Sequence, residues 1–281
     1  MKLGYSTITW GGVVGHPGGV TSIKDLFYMT HGDTAAAIKD IAEAGYQGTE
    51  LFDGNLAEFE NEPEVLLTAL RDSGLELVSV YTGANFIYDE ILDDELFKIE
   101  RAALLAKKFG ASRLVVGGGA KRPDGPKPDD FKKVGRGLDM TADIARTHGL
   151  ESSYHPHLGT ISETLSGFHQ IMDSCSIGFC PDTAHLVASG IDPVEAIERY
   201  GDRLQHVHLK DLSQKTGEFT PLGEGDINFP AVLEAIRKTN YASWLMVELD
   251  SFEGDPKSAA LTSRKYLDVL LNGKMHTSSS N

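Results

Sequence analysis

The sequence predicts an α/β fold, a (β/α)8 TIM barrel in a single domain. Two patterns point there: short apolar runs alternate with longer amphipathic ones along the chain, and eight such pairs take up nearly all 281 residues. A third observation removes the main rival. No glycine-rich GxGxxG turn follows the first strand, so a doubly wound dinucleotide-binding sheet lacks its usual signature.

The elements follow in order. The first strand is read at Leu3–Thr9, and a long excursion rich in Gly, His and Pro, Trp10–Asp33, separates it from a helix at Thr34–Ala44. Strand Gln47–Phe52 leads to helix Pro63–Asp72, and strand Glu76–Tyr81 to helix Asp93–Phe109. Gly45, Gly74, Gly110 and Gly149 each follow a helix and precede a strand, as C-terminal caps do. Strand Arg113–Val116 and helix Pro128–Thr147 flank a second excursion, Ala120–Pro128. Strand Leu150–His155 precedes helix Ser162–Asp173, which Thr160 and Glu163 open as a capping box. Strand Ile177–Cys180 leads to helix Pro193–Tyr200, and strand Leu204–Leu209 leads through a third excursion, Ser213–Asn228, to helix Pro230–Lys238. Strand Trp244–Leu249 and helix Lys257–Leu271 close the set. All three excursions leave the C-terminal end of a strand, where barrels build their sites. The barrel is assigned to residues 1–272, and the small, polar residues 273–281 are expected to be disordered.

With 41% hydrophobic and 24% charged residues the chain has the composition of a soluble globular protein. Asp and Glu total 41 against 26 Lys and Arg, a formal charge of −15, which argues against a phosphate-backbone ligand. Cys175 and Cys180 match neither a metal knuckle nor a disulfide framework. No apolar run approaches a membrane span, and the N-terminal residues lack a signal-peptide pattern. A cytoplasmic enzyme is expected.

The chemistry gathers at the ends of four successive strands. His155 and His157 end the fifth strand in YHPH, and Asp182 and His185 follow the sixth in PDTAH. His206 and His208 lie in the seventh, HVHLKD, and Glu248 and Asp250 end the eighth, VELD. Strand alternation puts His206, His208 and Lys210 on one side. Imidazole and carboxylate ligands suit Mn²⁺, Zn²⁺, Co²⁺ or Fe²⁺. A lone HxH or DxxH is weak, but four such clusters on one rim converge.

Other residues have blander accounts. His148, His169 and His276 are read as ordinary polar residues, and Glu163 as a helix cap. Asp211 and Asp250 are divided between holding loop backbone and serving a site. KRPDGPKP is a solvated loop from which Lys121 and Arg122 could reach an anion. Trp10, Tyr81 and Phe86 are either core caps or platforms for a sugar ring.

The phrases GYQGTELF, PDTAHL, HVHLKD, LGEGDINF and VELD resemble the sugar phosphate isomerase/epimerase superfamily, a xylose-isomerase-like TIM barrel. YHPHLGT with PDTAHLVASGIDP is most similar to its inosose dehydratase branch. The resemblance covers Leu3 to Leu271. It implies a divalent metal, Mn²⁺ first with Co²⁺, Zn²⁺, Fe²⁺ or Mg²⁺ as alternatives, held by Asp182, His208 and Glu248. His185 takes the place of the superfamily's substrate-side histidine. One departure stands out: His155 sits where the superfamily has its first glutamate, so two-glutamate proton exchange loses a partner and His155 becomes a ligand or a base.

The expected activity is therefore a metal-dependent carbon–oxygen lyase or hydratase on a keto-polyol or keto-sugar, with a ketose isomerase or epimerase as the alternative. His155 or Glu248 is the expected base and His185 or Lys210 the acid, while His157, Trp10, Tyr81 and Glu50 are expected at the substrate. A small sugar or polyol and, as an open expectation, a further copy of the chain are the partners; nucleic acid and membrane are not. Abasic-site endonucleases share the barrel but use three zinc ions and extra histidines from strands three and four, and neither SVYTGANF nor LVVGGGA contains one. A non-catalytic sugar-binding barrel is the remaining rival, against which Asp182, His208 and Glu248 speak.

Overall fold

The computed structural model describes residues 1–11 and 28–272. In chain order the strands are β1 Lys2–Ser6, β2 Gly48–Phe52, β3 Glu76–Gly83, β4 Arg113–Gly117, β5 Glu151–Tyr154, β6 Gly178–Phe179, β7 His208–Leu209, β8 Asp211–Leu212, β9 Phe219–Thr220 and β10 Trp244–Val247. The helices are α1 Thr34–Glu43, α2 Asp53–Glu58, α3 Pro63–Ser73, α4 Leu92–Lys108, α5 Asp130–Thr147, α6 Leu165–Met172, α7 Thr183–Ala188, α8 Pro193–Tyr200, α9 Phe229–Lys238 and α10 Pro256–Asn272.

Eight strands form one parallel sheet in the order β6-β5-β4-β3-β2-β1-β10-β7. Parallel bridges Phe179↔Leu204 and Asp182↔His208 join its two edges, so the sheet closes into a barrel. Crossover helices are buried on their inner faces, as Ile38 and Ile41 of α1 and Val232, Leu233 and Ile236 of α9 show. Each helix stop expected at Gly45, Gly74, Gly110 and Gly149 has positive φ, from 67° to 91°.

The barrel floor is packed, not open. Val78, Trp244 and Met246 plug its N-terminal end, and they fit because β1 and β2 carry glycines there. A Cβ on Gly4 would lie 2.7 Å from Met246 Cε, and one on Gly48 would lie 2.5 Å from Val78 Cγ2. Above that floor the interior turns polar, with Glu50, Ser79, His206 and His208 all fully buried.

Three short pieces escaped the pattern reading. Thr7–Thr9, read as the end of the first strand, belong to a 3-10 turn that runs to Trp10, and α2 and α7, six residues each, are too short to show a helical period. The sixth helix starts later than read: Thr164 is its cap, accepting from the Gly167 amide. Thr160 instead donates to the His157 carbonyl, and Glu163 pairs with Lys121. The expectations for residues 273–281, for His276 and for most of Trp10–Asp33 fall outside the described residues. No helix among the described residues is long and apolar enough to cross a membrane.

Candidate metal centre and active site

Strand ends and short helices, not loops alone, bring the site together. His155 follows β5 directly, its amide donating to the Val116 carbonyl of β4. Asp182 caps α7: its Oδ1 accepts the His185 amide at 2.9 Å. This accounts for the DxxH spacing, since a cap binds the amide three residues on and thereby fixes where the His185 ring starts. Asp182 and His208 meet across the β6–β7 seam as a bridge pair, with the His208 amide donating to Pro181. Glu248 follows β10, its amide donating to the Leu209 carbonyl.

These four side chains converge. One ligand atom each from His155, Asp182, His208 and Glu248 lie within 4.8 Å of one another, all buried. Asp182 Oδ2 faces Lys210 Nζ at 3.2 Å and His155 Nε2 at 3.4 Å, and His208 Nδ1 faces Glu248 Oε2. Yet among the described residues Asp182 Oδ2, both His155 ring nitrogens and His208 Nδ1 lie close to charged groups without a well-formed hydrogen bond. Orphaned buried donors and acceptors are costly unless something else satisfies them. Two imidazoles and two carboxylates, each with one ligand atom within 4.8 Å of the others, fit a divalent ion of borderline hardness.

Lys210 is the second organising charge. Its fully buried ammonium touches Glu248 Oε1 at 2.8 Å, Asp250 Oδ1 at 2.5 Å and His185 Nε2 at 2.9 Å. Burial works against that charge, but Asp182, Asp250 and Glu248 outweigh it and hold the lysine protonated. In return, despite burial, Lys210 and then His208 hold Glu248 well below the carboxylate range, and Lys210 with His155 does the same for Asp182. Asp250 differs: burial, against Lys210 and reinforced by Glu248, lifts it to about 7.

The two histidines beside this charge are neutral. Burial, helped by His155 and Lys210, lowers His157 to about 4, and burial with His157 and Lys210 holds His185 well below the usual imidazole range. Their ring centroids lie 3.7 Å apart with the planes tilted by 39°, and Phe219 of β9 is set edge-on to His185 at 5.1 Å. Their tautomers follow from their partners. His157 Nδ1 donates to the Leu158 carbonyl at 2.6 Å, which leaves an Nε2 lone pair. His185 Nε2 accepts from Lys210, so its proton sits on Nδ1, which has no hydrogen-bond partner among the described residues.

The cavity beside the cluster is lined by Ile8, Tyr28, Phe52, Tyr81, His157, Glu248 and Asp250. One wall is aromatic, with Tyr28 and Tyr81 edge-to-face at 5.3 Å and Phe52 5.1 Å from Tyr81. The opposite wall is carboxylate and imidazole. A roomier cavity of about 650 Å³ lies at the other end of the barrel, around Arg113, Gln205, Lys238 and Tyr241. That is the N-terminal face, where residues serve stability, and it lacks the converging ligand atoms.

His157 and Tyr81 thus reach the cavity as expected at the substrate, but two companions do not. Trp10 donates its indole N–H to Asp40 Oδ2 at 3.0 Å and packs edge-on against Tyr5, away from the cavity. Glu50 lies inside the barrel beneath His208, because alternation along β2 turns it inward one step below the rim. Lys121 and Arg122 are occupied by Glu163 and Asp130. Phe86 is core. Asp211 is settled as a backbone anchor, accepting from the amides of Leu212, Gly223, Gly225 and Ile227. His148 pairs with Glu100, and His169 bonds the Tyr200 hydroxyl. Missed from sequence were Phe52, one alternation step beyond Glu50, and Phe219, whose hairpin had no periodic signal.

Comparison with known proteins bears on this geometry. A family model described as the xylose isomerase-like TIM barrel matches residues 38–270. The inosose dehydratase of Lacticaseibacillus casei is 31% identical over 270 residues, covering 84% of this chain and 89% of its own length. Among solved structures, an IolI protein with a bound zinc atom superposes with a TM-score of 0.74 at 16% identity, covering 97% of this chain and 99% of its own. The 3-keto-D-glucoside 4-epimerase of E. coli gives 0.68 at 21% identity, covering 97% and 99%. At these identities the two structures show the shared fold.

Proposed function

Since the chain belongs to the xylose isomerase-like TIM barrel family, we propose that it is a divalent-metal-dependent carbon–oxygen lyase acting on a keto-polyol or keto-sugar of inosose or 3-keto-glycoside type. The observation that carries this reading is the meeting of His155, Asp182, His208 and Glu248 within 4.8 Å, beside a cavity that neutral His157 lines with neutral His185 packed behind it. A divalent ion bound by those four supplies a Lewis acid for the ketone oxygen and a neighbouring hydroxyl. Mn²⁺ is our first assignment, with Co²⁺, Zn²⁺, Fe²⁺ and Mg²⁺ as alternatives; zinc is the ion named for the IolI protein.

The chain's own residues divide the proton work. His157, neutral at pH 7 and with an open Nε2, takes the proton beside the ketone. Sequence alone placed this base at His155 or Glu248; His155 is turned into the ligand cluster, whereas His157 lines the cavity. The C–O bond on the neighbouring carbon then breaks, and the imidazolium of His157 returns its proton to the departing hydroxyl, which leaves as water. His185 Nδ1–H donates a hydrogen bond to that hydroxyl, strengthened by Lys210 behind its other nitrogen. Lys210 itself keeps its proton and acts by charge. The aromatic wall of Phe52 and Tyr81 covers the C–H face of the ring and excludes water.

A second reading, ketose epimerisation, is favoured by one observation. Glu248 and His157 both line the cavity, so two proton acceptors face one substrate. Incubation with an inosose in deuterated water separates the two. The lyase reading expects a dehydrated product absorbing in the ultraviolet, whereas solvent deuterium retained in an epimer, with no such product, would overturn it. A reducing cytoplasm suits the unpaired Cys175 and Cys180.

A further inference from the structure

We propose that Glu50 is a positioning residue for the metal centre, which fixes the ring nitrogen His208 presents to the ion. This rests on the metal reading above. Glu50 Oε1 and Oε2 lie 3.2 and 3.3 Å from His208 Nε2, and Oε2 is pinned from its other side by the Ser79 hydroxyl at 2.6 Å. With its Nε2 proton given to Glu50, His208 is left with an Nδ1 lone pair. That atom has no well-formed hydrogen bond among the described residues and is set against Glu248 Oε2, on the side of the cluster with His155 and Asp182. The imidazole therefore has one nitrogen for a carboxylate inside the barrel and the other for the ion at the rim. Such an outer carboxylate sets ring orientation and raises ligand basicity.

A space-filling role explains Glu50 poorly. The layer below it is filled by Val78, Trp244 and Met246, so apolar side chains fit this interior. Among the described residues the ion-pair partners of Glu50 are His206 and His208, with no lysine or arginine. A buried carboxylate without a fixed cation costs free energy unless it serves a hydrogen-bonding partner. His206, with its Nε2 3.5 Å from Oε2, is a more distant contact than His208.

The test measures metal affinity of the full chain by chelator competition with Zn²⁺, alongside a thermal melt. Glu50→Gln is expected to fold and to bind Zn²⁺ about 10- to 100-fold more weakly. His206→Asn, which leaves the Glu50–His208 pair in place, is expected to bind as the wild type does. Nitrogen-15 NMR of the zinc-loaded wild type is expected to show the His208 proton on Nε2, a measurement that needs no variant to fold. Unchanged affinity in Glu50→Gln, equal weakening in His206→Asn, or a His208 proton on Nδ1 would each overturn the proposal. A wild type that binds no zinc would instead overturn the metal reading on which it rests.

Discussion

Lys210 Nζ lies 2.9 Å from His185 Nε2, and this contact decides which nitrogen of His185 faces the chemistry. A protonated lysine can only donate, so Nε2 must accept and Nδ1 must carry the ring proton. Lys210→Met removes that constraint and leaves Asp182, Glu248 and Asp250 without their cation. Loss of one buried partner of such a set costs about 3–5 kcal/mol, which a thermal melt will read. The kcat is expected to fall on the order of 10²- to 10³-fold, as when a preorganised donor is lost. A variant with near-normal kcat would separate Lys210 from the reaction.

Chelation should abolish activity and lower stability together. The four candidate ligand residues are buried and come together only in the fold, so an ion bound there would contribute linkage energy as well as chemistry. At a free metal concentration one hundred times Kd, that energy is about 2.7 kcal/mol. One equivalent per chain is expected to restore both the melt and the turnover. Recovery of the melt without turnover would leave the ion a structural role only.

His155 stands where the wider family resemblance expects a glutamate, which makes His155→Glu informative about reaction choice. The change adds a carboxylate beside Asp182, now 3.4 Å from the imidazole, and gives the rim a second glutamate with Glu248. Epimer formation in deuterated water is expected to rise relative to elimination. An unchanged product ratio would show that His155 serves the metal and does not steer the proton.

The barrel was legible because parallel strands buried on both faces and capped helices leave strong local signals. The cluster was legible too: His155, Asp182, His208 and Glu248 end consecutive strands, and a barrel brings consecutive strand ends to one rim. What escaped notice depends on tertiary partners. Glu50 looks like any rim acid until β2 and β7 are placed on opposite sides of one interior, where His208 meets it. The division of labour between His155 and His157 is invisible in YHPH, because two residues of advance along the chain, through Pro156, decide which ring faces the ligands. Asp211, the residue after Lys210 in the same HVHLKD run, gives its carboxylate to four backbone amides instead.

That anchor yields its own prediction. Asp211 accepts from Leu212, Gly223, Gly225 and Ile227, and it is the hub on which the loop carrying Phe219 folds back. Asp211→Ala orphans these amides and should cost about 3 kcal/mol, within the range for charge-assisted hydrogen bonds lost from a buried site. Hydrogen exchange should rise first in residues 213–228. KM is expected to rise more than kcat falls, since Phe219 backs His185 without touching the ligand cluster.

Asp53 gives a pH signature away from the metal. Burial lifts its carboxyl to about 7, against the opposing hydrogen bonds from Thr82, Tyr28 and Gly54. Its folded pKa is therefore above the unfolded value of 3.8, so the folded state holds an extra proton between these limits. Stability from this group is full below about pH 4 and is lost as pH rises towards 7, at up to about 1.4 kcal/mol per unit. Other carboxylates, including Asp182 and Glu248, are held low and slope the opposite way, so the wild-type curve alone would mix the two. Asp53→Asn isolates the effect. Its carbonyl can still accept from the Tyr28 and Gly54 amides, and the Thr82 hydroxyl can turn to accept from the new amide. Denaturant melts should show the variant gaining on the wild type from pH 4 to 7 and the difference levelling above it. A difference that does not vary with pH would mean that Asp53 is ionised throughout, held by its three donors against burial.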